Sequence, residues 1–76
     1  MQIRRQRRIT IVDNDVRERV RKEQSELNDK IVKLNAFIND NIKFMSVKPI
    51  QRRLLKKQLK VMRKYDHILC TRLIHF

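Results

Sequence analysis

Residues 49–73 read PIQRRLLKKQLKVMRKYDHILCTRL and have the periodicity of one long helix. Apolar residues recur every three or four positions, which is the spacing of one helix face. The chain contains no glycine, and its single proline, Pro49, stands at the start of this segment. Proline fits the first turn of a helix, because its missing N–H leaves no hydrogen bond unmade there. The sequence therefore predicts a helix from Pro49 to about Leu73.

The two faces of this predicted helix differ sharply in character. Bases cover one continuous face, and Asp66 is the only acid of the helix. The bases are Arg52, Arg53, Lys56, Lys57, Lys60, Arg63 and Lys64. The apolar residues are Leu54, Leu55, Leu59, Val61, Met62, Ile68, Leu69 and Leu73. Their arc covers about half of the circumference, which is more than one partner helix needs. We expect one side of the arc to pack within the chain and the remainder against a second copy.

A second helical pattern precedes this one, between Asp15 and Ile38. Its apolar positions are Val16, Val20, Leu27, Ile31, Leu34 and Ile38, with Phe37 beside them. Gln24 occupies the one seam position that lacks an apolar residue. Asp15 with Glu18 three residues later predicts an N-cap with a capping box. Residues 39–41, Asn-Asp-Asn, predict the helix end, since Asn tolerates the left-handed conformation. A connector follows, in which Phe44 is expected to close the end of a hairpin.

These patterns predict an all-α fold, an antiparallel two-helix hairpin over residues 15–76 preceded by a basic N-terminal arm over residues 1–14. The arm contains four arginines before Ile9-Thr10-Ile11-Val12, which favours a mobile or partner-ordered tail with a short extended segment. A chain of 76 residues with two helices cannot enclose a large core. We therefore expect a homo-oligomer that assembles through the wide apolar face.

The net charge of +12 indicates a phosphate-bearing partner, such as nucleic acid, a nucleotide or anionic lipid.

Cys70 is the only cysteine, and its spacing to His67 and His75 is not that of a zinc site, so no metal site is predicted. Neither a catalytic triad nor a glycine-rich phosphate loop can be assembled, which predicts a protein without catalysis or cofactor. No apolar run has the length of a membrane span, and no secretory signal is present, which predicts a cytosolic protein.

A polar set interrupts the apolar arc of the second predicted helix. Gln58, Tyr65 and Arg72 are seven residues apart, and an unpaired charge in an apolar seam is costly. An antiparallel hairpin brings Tyr65 and Arg72 beside Glu23, the candidate partner. Three interpretations stay open. Glu23, Gln58, Tyr65 and Arg72 form a polar layer that fixes register or oligomer state; Tyr65 and Arg72 line a ligand pocket between subunits; or Arg72 extends into solvent.

A family resemblance covers about residues 16–73. The pattern that carries it is Glu23-x3-Leu27-x2-Lys30-Ile31-x-Lys33-Leu34-x2-Phe37-Ile38, then Phe44, then Leu54-Leu55-x2-Gln58-Leu59-x2-Met62-x2-Tyr65-x2-Ile68-Leu69-x2-Arg72-Leu73. It resembles the hairpin domain of phage anti-CBASS and anti-Thoeris proteins. The resemblance implies a non-catalytic sponge, an oligomer and often a hexamer, that sequesters cyclic di- or trinucleotides between subunits in an infected bacterial cell. Residues 1–14 are not part of the pattern, and no ligand residue transfers by position.

The candidate ligand-binding residues are therefore chosen on chemistry. Arginine suits phosphate, and tyrosine suits stacking on a base. The candidates are Arg7, Arg8, Arg17, Arg21, Tyr65 and Arg72. The alternative function is a small basic nucleic-acid-binding protein, whose affinity would fall steeply with salt.

Overall fold

A computed structural model describes the backbone of residues 2–76 and the side chains of residues 14–76. The helices are α1 (Gln2–Asn39), α2 (Asn41–Ser46) and α3 (Pro49–Ile74). The two long helices, α1 and α3, pack against each other, and no strand occurs in residues 2–76. The predicted all-α antiparallel hairpin is confirmed.

The start of α1 differs from the prediction. The helix begins at Gln2, so Asp15 lies inside it and does not cap it. The carboxylate of Asp15 instead pairs with the guanidinium of Arg19 at 3.2 Å, and Glu18 pairs with Arg21 at 3.2 Å. Acids followed by bases three or four residues later stabilise a helix interior. Here the two acids are themselves three residues apart, which is also the spacing of a capping box at a helix start. The division of the chain into an arm and a hairpin domain at residue 14 stays a prediction.

The connection between the long helices is a short helix of its own. α1 ends at Asn39 as predicted, but the left-handed conformation expected of the Asn run is wrong, since no described residue has a positive φ. The Asp40 carboxylate instead accepts a hydrogen bond from the backbone N–H of Lys43 at 3.2 Å, which caps α2. Phe44 on α2 is buried, and its ring meets that of Phe37 edge-on at 6.4 Å between centroids. Phe44 thus closes the end of the hairpin, and Pro49 opens α3, both as predicted.

The core is one narrow seam between α1 and α3. Val20, Leu27 and Leu69 are buried at its centre. Along α3 the seam positions are 52, 55, 59, 62, 66, 69 and 73, followed by 76 after the helix end; none of them is exposed, and Cys70 beside them is half-buried. Their alternating spacing of three and four is that of a coiled-coil seam. Arg52 belongs to this seam, and its Nη1 lies 2.7 Å from Met45 Sδ. Six of the seven bases predicted to share the basic face are therefore exposed on it.

One polar pair interrupts the seam. Gln24 Nε2 donates a hydrogen bond to Asp66 Oδ1 at 2.9 Å, and Cys70 Sγ lies 4.0 Å from Asp66 Oδ2. Gln24, Asp66 and Cys70 are all half-buried. The only acid of α3 is therefore engaged inside the hairpin, and the outer surface of α3 is left to bases and neutral residues.

The Gln24→Ala variant is expected to lose about 1 kcal/mol of unfolding free energy, because it leaves the half-buried Asp66 carboxylate without its donor. Urea unfolding followed by circular dichroism measures the change. Asn28→Ala removes an exposed amide from the same helix and should stay within about 0.5 kcal/mol of the parent. Replacing both Gln24 and Asp66 with leucine should restore stability, since no polar group is then left unpaired. A double variant less stable than Gln24→Ala would contradict this account of the pair.

Candidate anion-binding site

Outside the core, α3 carries two further faces, which adjoin each other on the side away from α1. The first, the basic face, consists of exposed residues: Arg53, Lys56, Lys57, Lys60, Arg63, Lys64 and His67. The second, the exposed seam, has the same spacing of three and four as the core seam, offset by one residue. Its members, all exposed, are Gln51, Leu54, Gln58, Val61, Tyr65, Ile68, Arg72 and His75.

An open groove of about 670 Å³ lies on the basic face. Its lining residues are Lys56, Leu59, Lys60, Arg63, Lys64, His67 and Ile68. This volume is within the range of small-molecule pockets, about 300–1,000 Å³. Four cations and an imidazole line the groove, and no carboxylate is among the lining residues. The arrangement suits an anion with several charges and a flat apolar part that can contact Leu59 or Ile68.

Two of the groove cations are positioned by the rest of the hairpin. Arg63 Nη2 donates a hydrogen bond to Asn35 Oδ1 of α1 at 3.1 Å. Lys56 Nζ lies 5.6 Å from the centroid of the Phe44 ring, within cation–π range. These contacts reduce the freedom of two long side chains before any ligand binds, which lowers the entropy cost of binding.

The predicted ligand-binding residues fall into separate groups. Arg17 is half-buried, and the guanidinium of Arg21 is paired with Glu18. Helical spacing puts both on the flank of α1 that carries Asn35, and hence on the same side of the hairpin as the basic face. Tyr65 and Arg72 lie on the exposed seam, on the opposite side. A single hairpin therefore does not bring these four residues to one ligand. Arg7 and Arg8 lie outside the side chains that the structure describes.

The predicted polar layer is not formed within one hairpin. Glu23, Gln58, Tyr65 and Arg72 are all exposed, and in residues 14–76 no hydrogen bond joins Glu23 to Tyr65 or Arg72. The physical reason is a rotation of α3. Its core seam passes through Asp66 rather than Tyr65, and one residue corresponds to about 100°. A layer of these four residues between copies of the chain stays a prediction.

The groove lysines were not among the predicted ligand residues. Lys56, Lys60 and Lys64 are four residues apart, which places them on one helix face, and this signal is visible in the sequence. The basic face as a whole is predicted to bind an anion, but the individual candidates are arginines and a tyrosine, chosen for bidentate contacts and stacking, and they leave out these lysines.

The described residues form neither a metal centre nor a membrane-spanning helix. No group of three or more histidines, cysteines, aspartates or glutamates there could hold a metal ion. None of the helices among the described residues combines the length and the apolar character that crossing a membrane requires.

Comparison with known families identifies a match. The model of the family described as Sequestin matches residues 14–75, most of the chain. The match fits the resemblance to phage anti-CBASS and anti-Thoeris sponges, and the family name indicates a binding role in which a signalling molecule is sequestered. Neither the curated proteins nor the solved structures contain a match.

Proposed function

We propose, because this chain belongs to the Sequestin family, that it is a phage-type sponge for cyclic di- or trinucleotide immune signals. It binds the signal between subunits in the cytoplasm of an infected bacterium, does not cleave it, and so withholds it from the host anti-phage effector. The observation that carries this proposal is the groove with four cations and no carboxylate among its lining residues.

The charge of the groove suits this ligand class. Each phosphodiester of a cyclic nucleotide carries one negative charge, so a cyclic di- or trinucleotide presents two or three. Lys56, Lys60, Arg63 and Lys64 supply enough positive charge to neutralise them. Exposed ion pairs contribute only about 0.2–1 kcal/mol each, so tight binding also requires stacking and apolar contacts. Tyr65 and Arg72 on the exposed seam offer these once a second copy closes the site.

The lining chemistry supports binding without cleavage. His67 is the only imidazole among the groove residues. Phosphodiester cleavage needs an activated nucleophile and stabilisation of the leaving group. The groove residues include neither a carboxylate nor a hydroxyl to work with this imidazole.

One observation favours nucleic acid as the second candidate. Arg53 and Lys57 extend the basic face beyond the groove, and the bases from Arg53 to Lys64 span about 16 Å of helix. A row of this length can follow several phosphates of a duplex. Such binding would lose affinity steeply between low and physiological salt, because it depends on counterion release.

A thermal-shift panel at about 150 mM salt distinguishes the two. The panel contains cyclic di-AMP, cyclic di-GMP, cyclic GMP–AMP and cyclic tri-AMP, with the linear dinucleotides as matched controls. At least one cyclic member should stabilise the protein by about 2.7 kcal/mol at a concentration of 100 Kd. A protein that responds to no member, but binds a 20-base-pair duplex in a salt-dependent manner, would overturn the sponge proposal in favour of the alternative.

A further inference from the structure

A second groove lies at the hairpin end of the basic face, beside α2. This hairpin-end groove has a volume of about 330 Å³, and its lining residues are Phe44, Met45, Arg52, Arg53 and Lys56. Lys56 also lines the larger groove, so the two grooves adjoin at this side chain. A ligand whose phosphates lie in the larger groove therefore has room to extend toward α2.

The side chains of the hairpin-end groove offer hydrogen-bond donors and almost no acceptor. Arg52, Arg53 and Lys56 carry only N–H donors, and the thioether of Met45 is a weak acceptor. The Asp40 carboxylate at the same end of the hairpin caps α2 and is not among the lining residues. A ligand group that presents acceptors is satisfied here, whereas one that presents an N–H₂ donor finds no good side-chain partner.

The same groove offers a surface for a flat ring. Met45 is exposed, and its Sδ lies 2.7 Å from Arg52 Nη1. Thioethers and guanidinium planes both make favourable contacts with aromatic rings. Because these two groups already touch each other, less freedom is lost when a ring is placed against them. The groove therefore combines donors with a contact surface for a nucleobase.

The distance between the two grooves corresponds to one nucleotide. Lys60 of the larger groove follows Arg53 by seven residues, so both lie on one side of α3, about 10 Å apart along its axis. This distance is comparable to the span from a phosphate across its ribose to the far edge of the base. A phosphate at Lys60 can thus place its base beside Arg53.

The donors of the hairpin-end groove distinguish between the purines. The N7 and O6 atoms of guanine are two adjacent acceptors, which one arginine binds with two N–H groups. Adenine presents N7 beside an N6–H₂ donor, and this donor requires an acceptor that the groove side chains lack. Guanine is therefore the purine that matches the groove.

We propose, on the basis of the sponge function above, that the hairpin-end groove is a base subsite in which Arg53 binds N7 and O6 of a guanine. Arg52 and Met45 contact the face of the base, and Lys56 lies between the base and the phosphates in the larger groove. The protein consequently prefers cyclic nucleotides that contain guanine to those that contain adenine alone. All of the residues of this subsite belong to one hairpin.

Isothermal titration calorimetry with three matched ligands tests the subsite. Cyclic di-GMP and cyclic di-AMP differ in the edge of the base and carry the same phosphates. Cyclic di-IMP keeps N7 and O6 but lacks the N2 amine of guanine, so it shows which edge the protein reads. The comparison uses the parent protein and does not depend on whether a variant folds.

Arg53→Gln is the variant at the subsite. It replaces two donors with an amide, whose donor and acceptor match N7 and N6 of adenine. Lys57→Gln is its control, because it removes the same charge from an exposed residue of the basic face that lines neither groove. Circular dichroism confirms that both variants keep their helices, as expected for exposed positions.

We expect the parent protein to bind cyclic di-GMP and cyclic di-IMP at least tenfold more tightly than cyclic di-AMP, since a bidentate pair discriminates against the wrong base. Arg53→Gln should reduce this preference to less than about threefold. Lys57→Gln should keep the preference while lowering the affinity for all three ligands by a similar factor.

Equal affinities of the parent for cyclic di-GMP and cyclic di-AMP would overturn this inference and leave the proposed function standing. The same holds if cyclic di-IMP binds as weakly as cyclic di-AMP, or if the preference survives in Arg53→Gln. A parent protein that binds no cyclic nucleotide would overturn the proposed function, and the base subsite with it.

Discussion

Replacing Leu69 with alanine is expected to lower the free energy of unfolding by about 3 kcal/mol, the middle of the range for large-to-small changes in a core. Leu69 is the only residue of the described side chains with 0% exposure, and it packs in the cluster with Val20 and Leu27. The hairpin has one seam and few buried residues, so the surroundings offer little to refill the cavity. Urea unfolding followed by circular dichroism measures the loss.

Ile74→Ala is the matched control for this prediction. It removes a similar volume from the same helix at a position that is 80% exposed, and it should change stability by no more than about 0.5 kcal/mol. Both variants are measured at a protein concentration that keeps the chain monomeric, so that the hairpin alone is tested. Equal losses in the two variants would mean that the seam between α1 and α3 is not the core.

Reversing two charges in the groove, Lys60→Glu with Lys64→Glu, is expected to weaken binding of a cyclic dinucleotide at least 100-fold. Each reversal replaces an attraction to phosphate with a repulsion, and unfavourable juxtapositions of like charge cost several kcal/mol in an interface. A 100-fold change corresponds to about 2.7 kcal/mol, which is within reach of two such reversals. Isothermal titration calorimetry measures the affinity of both proteins.

Lys22→Glu with Lys33→Glu is the control for net charge. It makes the same change in total charge on α1, at two exposed residues outside the groove. A local site predicts that only the groove variant loses affinity for the cyclic dinucleotide. Equal losses in both variants would show that the total charge attracts the ligand and that the groove does not bind it.

The helices and the turn could be predicted because their signals are local. Pro49 fixes the start of α3, and the Asn39-Asp40-Asn41 run ends α1 and starts α2. Phe44 is a large apolar residue in a polar connector, and burial at the hairpin end is its best placement. The predicted start of α1 at Asp15 was wrong. Asp15 and Glu18 have the spacing of a capping box, but they lie inside the helix, where each pairs with an arginine.

The rotation of α3 differs from the prediction, although hydrophobicity favours it. The seam that packs on α1 has apolar residues at five of its seven helical positions, whereas the exposed seam has aliphatic residues at only three of its eight. The hydrogen bond from Gln24 to Asp66 agrees with this rotation, because position 66 faces α1. Gln24 was identified in the seam, but its partner on α3 was not, and the expected polar layer was therefore assigned to Tyr65 and Arg72.

The positive charge of the site on α3 was predictable, although the residues that line its groove were not. An excess of bases on α3 follows from composition and spacing alone. The groove of Lys56, Lys60, Arg63 and Lys64 depends on how side chains lie beside Leu59 and Ile68, which no linear pattern records. Arg17 and Arg21 are on the same side of the hairpin as this groove, so they stay candidates for an extended ligand contact.

The most direct test of the central claim is a depletion measurement. Each cyclic nucleotide of the panel is incubated with a stoichiometric excess of the protein, free ligand is separated by ultrafiltration and quantified, and the protein is then heat-denatured to release what it holds. A sponge predicts that free ligand falls in proportion to added protein, and that the released nucleotide is recovered in full with unchanged mass. Recovery of linear products, or no depletion of any cyclic nucleotide, would contradict sequestration.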